Sequence, residues 1–132
     1  MKKIFYLFAA CLTFCFTSCK ESNEASSNTI IGDWVSNSIT EYYLENGKYY
    51  SEVEYVYTYL SIYPDNSMSW SSEGDYVYGN WVLNGNTLIF SFESGNGSDD
   101  YARYTVQKST STELVLRIDF DNGYSDYNFK KK

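Results

Sequence analysis

The chain repeatedly alternates apolar and polar residues with a period of two, and these runs end at clusters of Gly, Asn, Asp or Ser. Such alternation puts successive side chains on opposite faces of a strand, whereas a helix needs apolar residues three or four positions apart. No segment after Ile30 keeps a helical period. The pattern therefore predicts an all-β fold of about nine short antiparallel strands joined by tight turns.

The dipeptide Asn46-Gly47 predicts the position of a β-hairpin. It is typical of a type I′ turn, in which both central residues need a positive φ. Pairing outward from this turn places Glu45 opposite Lys48 and Tyr43 opposite Tyr50, so opposite charges and aromatic rings meet. The run that follows, residues 51–63, is long for one straight strand and changes face, which predicts a bend or bulge within it.

The later strands show which residues form the core. In one of them Leu88, Phe90 and Phe92 share a face, and in another the inward set is Leu114, Leu116, Ile118 and Phe120. One apolar and one polar face are typical of antiparallel strands. Joining such strands in sequence predicts an up-and-down barrel of about eight or nine strands, because closure removes exposed edges. A two-sheet β-sandwich is the alternative.

Residues 1–18 have the layout of a secretory signal peptide, with Lys2 and Lys3 before the apolar run from Ile4 to Phe16. As a helix this run would cover about 20 Å, which is short of a bilayer core of about 30 Å. Cys11 and Cys15 are interpreted as small apolar residues of this segment.

Cys19 ends a segment, Phe16-Thr17-Ser18-Cys19, that resembles the lipobox of bacterial lipoproteins, in which the cysteine is acylated and becomes the first mature residue. Residues 19–29 are then the lipidated cysteine and a polar, flexible tether. The pair Lys20-Glu21 resembles signals that send lipoproteins to the cell surface, although a solvated linker explains it equally well. We expect an outer-membrane lipoprotein, and the sequence leaves the periplasmic face and the cell surface both open.

Composition excludes several kinds of site. The chain has no His, and Cys19 is its last cysteine. This removes the usual Cys/His zinc sites, Ser-His-Asp triads, Cys-His dyads and disulfides within the mature domain. The net charge of −7 argues against nucleic acid as a partner, since phosphate contacts need clustered Lys and Arg. We expect a monomer without a cofactor.

Three segments together resemble the lipocalin-like domains of lipoproteins from Bacteroidetes-type bacteria. They are Gly32-Asp33-Trp34, which is similar to the Gly-x-Trp start of lipocalins, the segment YGNWVLNGNTLIFSF, and the closing STSTELVLRIDFDNGYSDYNFKK. The resemblance covers residues 30–132 and implies one lipocalin-like barrel domain. It also implies that Trp34 packs across the closed end of the barrel, with Arg117 as the candidate for the cation above it.

Tyrosines and one tryptophan are the candidate contact residues. Tyr55, Tyr57 and Tyr59 share one face of a predicted strand and could stack on a sugar or contact a partner. A core or cross-strand ladder is the simpler interpretation of these three. Trp70 lies in the polar run SMSWSS and is the better candidate for an exposed contact, whereas Trp81 lies in an apolar run and is expected in the core.

Acidic residues give no specific site. Calcium needs six to eight oxygen ligands, and the candidate stretches lack EF-hand spacing, so turn formation explains them and no metal site is predicted. Two carboxylates at a suitable separation could also serve glycoside hydrolysis, but chance supplies such pairs in an acidic chain, and we expect no enzyme. The candidate metal-binding residues are Asp99, Asp100, Asp119, Asp121 and Asp126.

Two functions fit these observations. The first is a non-enzymatic, membrane-anchored lipoprotein whose barrel binds a small apolar or amphipathic ligand in its mouth. The alternative is an interaction module without a cavity, which presents aromatic residues to a protein or glycan in the cell envelope. An inhibitor of a basic enzyme also fits the acidity but has no motif behind it. A pocket lined by inward aromatic residues would favour the first function, and a filled barrel with an exposed aromatic patch the second.

Overall fold

The structure is a computed structural model that describes residues 25–93 and 99–132. In these residues one short helix, α1 (Ser27–Ile30), precedes nine strands. The strands are β1 (Gly32–Glu45), β2 (Lys48–Glu54), β3 (Thr58–Ile62), β4 (Ser67–Ser72), β5 (Asp75–Asn84), β6 (Thr87–Glu93), β7 (Asp99–Ser109), β8 (Glu113–Phe120) and β9 (Gly123–Lys131).

The strands form one antiparallel sheet that closes on itself. From β3 to β9 each strand pairs with the next in chain order, and β1 pairs with both β3 and β9. Eight strands therefore make an up-and-down barrel, and β2 is an extra strand beside the second half of β1. The predicted all-β barrel is confirmed, and the sandwich alternative is wrong.

The β1–β2 hairpin has the predicted register. Glu45 lies opposite Lys48 and Tyr43 opposite Tyr50. Asn46 and Gly47 have φ values of 51° and 77°, which is the left-handed conformation that the turn requires. The predicted irregularity in residues 51–63 is a full break, because the strand stops at residue 54 and resumes at residue 58.

Strand alternation sorts the side chains into a core and a surface. The predicted inward residues Leu88, Phe90, Leu114 and Leu116 are all fully buried, and Trp81 is buried as expected. The described core residues run from Ile30 to Phe129, so the unit from residue 25 to residue 132 contains both the closed sheet and this core.

Helix α1 covers one end of the barrel, which we call the closed end. Ile30 is fully buried, and its carbonyl oxygen accepts a 2.8 Å hydrogen bond from Nε1 of Trp34. Ser109 Oγ lies 2.6 Å from Thr29 Oγ1, which ties α1 to the end of β7. Residues 27–29 were expected in the tether, but they form this helix because Ile30 and the hydrogen bonds hold them against the barrel. Cys19 and residues 1–18 lie outside the described residues.

The opposite end of the barrel, which we call the open end, carries the β4–β5 and β8–β9 turns and the break at residues 55–57. The β1–β2 hairpin lies beside the β8–β9 turn, because β1 continues for nine residues past Ser36, the last residue that pairs with β3, and its Tyr43 pairs with Gly123 of β9. Of the candidate contact residues near this end, Tyr59 lies on β3, whereas Tyr55 and Tyr57 lie in the break.

Candidate functional site

Tyr55, Tyr57 and Tyr59 lie on the outside of the barrel near the open end. Their exposed fractions are 79%, 64% and 45%. On β3 the inward positions are Thr58 and Leu60, which are buried, so Tyr59 points outward. The interpretation of these tyrosines as core residues is wrong, because residues 55–57 leave the sheet and Tyr59 occupies its outer face.

A row of small polar side chains separates two lines of tyrosines on this outer face. Met68 is buried and faces inward on β4, so the alternate residues Ser69 and Ser71 face outward. Ser71 pairs with Tyr59 on β3 and with Tyr76 on β5. Since neighbouring strands are about 4.8 Å apart, the backbones of these two tyrosines lie about 9.6 Å apart, with Ser71 between them.

The space between these tyrosines is a pocket of about 400 Å³, open to solvent. Its floor includes Ser71, and the β4–β5 turn contributes Glu73. We call this pocket the tyrosine groove. The side chains that define it are Tyr55, Tyr57, Tyr59, Ser71, Glu73 and Tyr76.

The tyrosine groove combines exposed aromatic rings with neutral hydroxyl groups. Tyr76 is 67% exposed, so its ring is available to a ligand. Glu73 is the acidic side chain among the defining residues, and Lys132 Nζ lies 5.5 Å from the ring centroid of Tyr59 at the margin. With this composition the groove can stack apolar faces and exchange hydrogen bonds.

Trp70 lies inside the barrel, and its expected role as an exposed contact is wrong. Its ring stacks on Tyr104 at a centroid distance of 5.9 Å, and it meets Tyr127 and Phe129 edge-on at 5.2 Å and 5.7 Å. Phe90 lies 6.2 Å away on a further strand. We call these five rings the interior aromatic cluster, and they fill the barrel at the level of Trp70.

The interior aromatic cluster disfavours charge. Burial raises the pKa of Tyr104 well above its usual range, with a smaller contribution from Tyr127. The pKa of Tyr127 is also raised, chiefly by burial. Ionisation of either phenol inside the barrel is therefore unfavourable, and a ligand entering at this level would have to displace aromatic rings.

Trp34 is buried at the closed end, and Arg117 does not lie above it. Lys131 pairs with Trp34 in the sheet and places its Nζ 4.5 Å from the Trp34 ring centroid. Arg117 instead pairs with Asp126, which is opposite Thr40, six positions along β1 from Trp34. At about 3.3 Å per residue, that separation is about 20 Å.

Arg117 forms a local cluster on the outer wall. Its Nε and a terminal nitrogen donate to the two carboxylate oxygens of Asp126 at 2.8 Å and 3.0 Å, and its guanidinium lies 3.6 Å from the ring centroid of Tyr124. The bond to Asp126 raises the pKa of Arg117. Because Arg117 occupies both oxygens of Asp126, this candidate calcium ligand has a structural partner.

Acidic side chains line a second pocket, of about 260 Å³, beside the β1–β2 hairpin. Glu41, Glu52 and Glu54 contribute to it. Tyr43 donates a 3.0 Å hydrogen bond to Glu52, and this bond raises the pKa of Tyr43. Within residues 25–93 and 99–132 no group of three His, Cys, Asp or Glu side chains has a geometry that could hold a metal ion.

The mouth of the barrel retains some exposed apolar surface. Val77 shares the inward face of β5 with Trp81, and Phe120 shares the inward face of β8 with Leu116, yet Val77 and Phe120 are 38% and 39% exposed.

No helix in the described part of the chain is long and apolar enough to cross a membrane.

Comparison with known proteins adds support for the fold. No family model and no curated protein sequence matches the chain. The structure is similar to the crystal structure of a lipocalin-like protein from Bacteroides uniformis ATCC 8492, with a TM-score of 0.51 and 16% identity over 79% of this chain and 99% of that one. The fold is lipocalin-like. An uncharacterized protein from Bacteroides eggerthii DSM 20697 aligns with a TM-score of 0.41 and 16% identity, over 77% of this chain and 98% of that one.

Part of the tyrosine groove and the cation above Trp34 were not predicted from the sequence. The run DYVYGNW contains a signal for Tyr76. Val77 and Trp81 share the inward face of this strand, so Tyr76 lies on its outward face. Lys131 has no comparable signal, because its position over Trp34 depends on the pairing of the last strand with the first.

Proposed function

We propose that this lipocalin-like barrel is a non-enzymatic binding module that binds a neutral glycan in the tyrosine groove. The observation that carries the proposal is the set of exposed tyrosine rings on both sides of Ser71, within one pocket of about 400 Å³. Large aromatic rings supply apolar contact area at a low entropic cost, and their exposure in a stable barrel is otherwise unfavourable.

Sugar chemistry fits this arrangement. One face of a pyranose ring presents C–H groups that pack on a flat aromatic ring, while its edge carries hydroxyl groups that need hydrogen-bonding partners. Tyr59 and Tyr76 supply the flat surfaces, and Glu73 and the tyrosine hydroxyl groups supply the partners. The net charge of −7 disfavours an acidic glycan through long-range repulsion, so a neutral chain is the preferred ligand.

A small apolar ligand bound in the mouth is the second candidate function. The exposed inward-facing Val77 and Phe120 favour it. The interior aromatic cluster argues against a deep site, because Trp70 and its neighbours occupy the space that such a ligand would enter. We therefore rank the tyrosine groove above the mouth.

The proposal includes attachment to the outer membrane through Cys19. Support comes from the lipobox-like segment Phe16-Thr17-Ser18-Cys19 and from the polar stretch that follows it. A diacyl or triacyl anchor holds a protein firmly, since each buried CH₂ contributes about 0.8 kcal/mol. Expression of the Cys19→Ser chain in a bacterial host should move the protein from the membrane fraction to the soluble fraction, and an unchanged membrane fraction would contradict lipidation.

Binding of neutral glycans tests the groove directly. Residues 20–132 would be screened against neutral polysaccharides, and the affinity for a hit measured by calorimetry. We expect Tyr76→Ala to weaken binding at least tenfold, which corresponds to about 1.4 kcal/mol. The matched control is Tyr101→Ala, because Tyr101 is 68% exposed and lies on β7, away from the groove.

Three outcomes would decide between the candidates. Loss of glycan binding on Tyr76→Ala but not on Tyr101→Ala supports the groove. Equal loss in both variants, or no binding of any neutral glycan, contradicts it. A small mass that co-purifies with the protein and is lost on Phe120→Ala, seen by native mass spectrometry, would favour the mouth instead.

A further inference from the structure

We propose that β2 is an interaction edge through which two copies of this chain join into a dimer with one continuous sheet. Among residues 25–93 and 99–132, β2 pairs with β1 on one side and ends the sheet on the other. The proposal concerns the free edge of β2, which ends one residue before Tyr55 of the tyrosine groove, and it does not depend on the glycan.

The free edge of β2 is long, regular and exposed. All seven residues, Lys48–Glu54, are exposed, and all seven pair with β1 in uninterrupted register. The other strands of the barrel are paired on both sides, so closure removes their edges. An exposed row of backbone N–H and C=O groups is a template for a further strand.

The sequence of β2 is complementary to itself in the antiparallel direction. If Ser51 lies opposite Ser51 of the partner subunit, Lys48 faces the partner's Glu54, and Tyr49 faces the partner's Val53. Each contact occurs twice because of the two-fold axis. Opposite charges and aromatic with β-branched pairs are the cross-strand combinations that stabilise an antiparallel sheet.

The remaining pair in this register also has a precedent within the chain. Tyr50 faces the partner's Glu52, and Glu52 already accepts a hydrogen bond from Tyr43 on the same face of the hairpin. Charges on an exposed edge usually prevent pairing with other strands. In this register Lys48 lies opposite the partner's Glu54. The charges that oppose pairing with other strands therefore favour pairing with a second copy of this chain.

In this register the two subunits extend from the paired β2 strands in opposite directions. Strand β2 runs from the hairpin tip toward β3, and antiparallel pairing therefore places the partner's β3 beyond the tip. A seven-residue strand pair buries less than the 1,200 Å² or so of a standard interface. We therefore expect a weak dimer that forms at high protein concentration and dissociates on dilution.

Disulfide trapping tests the register. Residues 20–132 lack cysteine, so each variant would carry a single thiol. In the Ser51→Cys variant the two thiols lie on directly opposite residues, whose Cα atoms are about 4.5–5.5 Å apart, which suits a disulfide. Tyr49→Cys alone should not cross-link, because its own copy is four residues away, about 13 Å. An equal mixture of Tyr49→Cys and Val53→Cys should cross-link.

Charge reversal tests the complementarity by sedimentation equilibrium. Lys48→Glu should weaken the dimer at least tenfold, since it places two acidic residues opposite each other. Adding Glu54→Lys to the same chain should restore the dissociation constant to within about threefold of the starting value. A role of Lys48 within its own hairpin, opposite Glu45, would not be rescued by this second change. Lys130→Glu is the control for the change in net charge.

Four results would overturn the proposal. The first is a protein that remains monomeric at about 1 mM, and the second is the absence of a Ser51→Cys cross-link under mild oxidation. The third is a Tyr49→Cys variant that cross-links alone as efficiently as Ser51→Cys. The fourth is a Lys48→Glu variant that Glu54→Lys does not rescue. Circular dichroism would establish that each variant is folded. Glycan binding by the groove can fail without affecting any of these results, so the two proposals are tested separately.

Discussion

At the scale of single residues, the stacked pair of Trp70 and Tyr104 links the stability of the barrel to alkaline pH. Burial raises the pKa of Tyr104 in the folded protein, while in the unfolded chain the phenol has its ordinary pKa of about 10. The folded state therefore binds this proton more tightly than the unfolded state. Stability is fully present below pH 10 and is lost as the pH rises beyond that value.

We predict that the urea midpoint of unfolding decreases as the pH is raised from about 10 to about 11, and that Tyr104→Phe reduces this decrease. The reason is that Phe has no proton to lose on unfolding, so one source of the pH dependence disappears. Tyr101→Phe is the control, because Tyr101 is exposed. Equal pH dependence in all three proteins would show that Tyr104 does not couple ionisation to folding.

The position of Trp70 illustrates what sequence can establish at this scale. In SMSWSS the serines at 67, 69 and 71 share one face, so Met68 and Trp70 must share the other, and the alternation alone was sufficient to place Trp70 inside. The outward placement of Tyr55 and Tyr57 had no such signal. Tyrosine suits both a core and a surface, and the break at residues 55–57 depends on how β1 divides its pairing between β2 and β3.

At the scale of the strands, turn chemistry explains where β4, β5, β6 and β8 begin and end. Each ends at Gly, Asn, Asp or Ser clusters that stop the alternation. The interior of β5 contains an exception, Gly79, which lies within a strand without ending it. A Cβ at this position would overlap the carbonyl oxygen of Ser91 on β6. Gly79 therefore permits a close approach of the two backbones.

We predict that Gly79→Ala destabilises the barrel by about 3 kcal/mol, because β5 and β6 must separate to accept the methyl group. Gly47→Ala is the matched comparison. Its Cβ would meet nothing within 4 Å, and its cost comes from a φ of 77°, about 1 kcal/mol. Urea unfolding monitored by tryptophan fluorescence measures both. A smaller effect at Gly79 than at Gly47 would contradict the close approach.

At the scale of the whole molecule, the barrel closes only when the first strand meets the last. The β1–β9 pairs join residues as far apart as Trp34 and Lys131. Such long-range pairing slows folding, since the chain must be brought together before the contacts stabilise it. The closed barrel was predictable from the number and alternation of strands. The extra strand β2 and the register of closure were not predictable, because both depend on where the pairing of β1 passes from β3 to β2.

We predict that residues 20–132 fold in milliseconds to seconds, and that removal of residues 123–132 prevents folding. Without β9, both β1 and β8 lose a neighbour and the core loses Phe129. Stopped-flow fluorescence of the three tryptophans gives the rate, and near-ultraviolet circular dichroism of the shortened chain tests the second part. Microsecond folding, or native aromatic ellipticity without β9, would show that closure is not required.

The entry of the chain at the closed end has a mechanical consequence. Strand β1 starts beside α1 at this end and runs toward the open end, with neighbours along both of its edges. A pull on the residues before Ala25, resisted by a partner held near the open end, would load β1 parallel to its own axis. The backbone hydrogen bonds along β1 would then share the force, whereas a pull across the strand would break them one after another. The barrel is thus oriented to resist tension between the residues before Ala25 and a ligand bound near the open end.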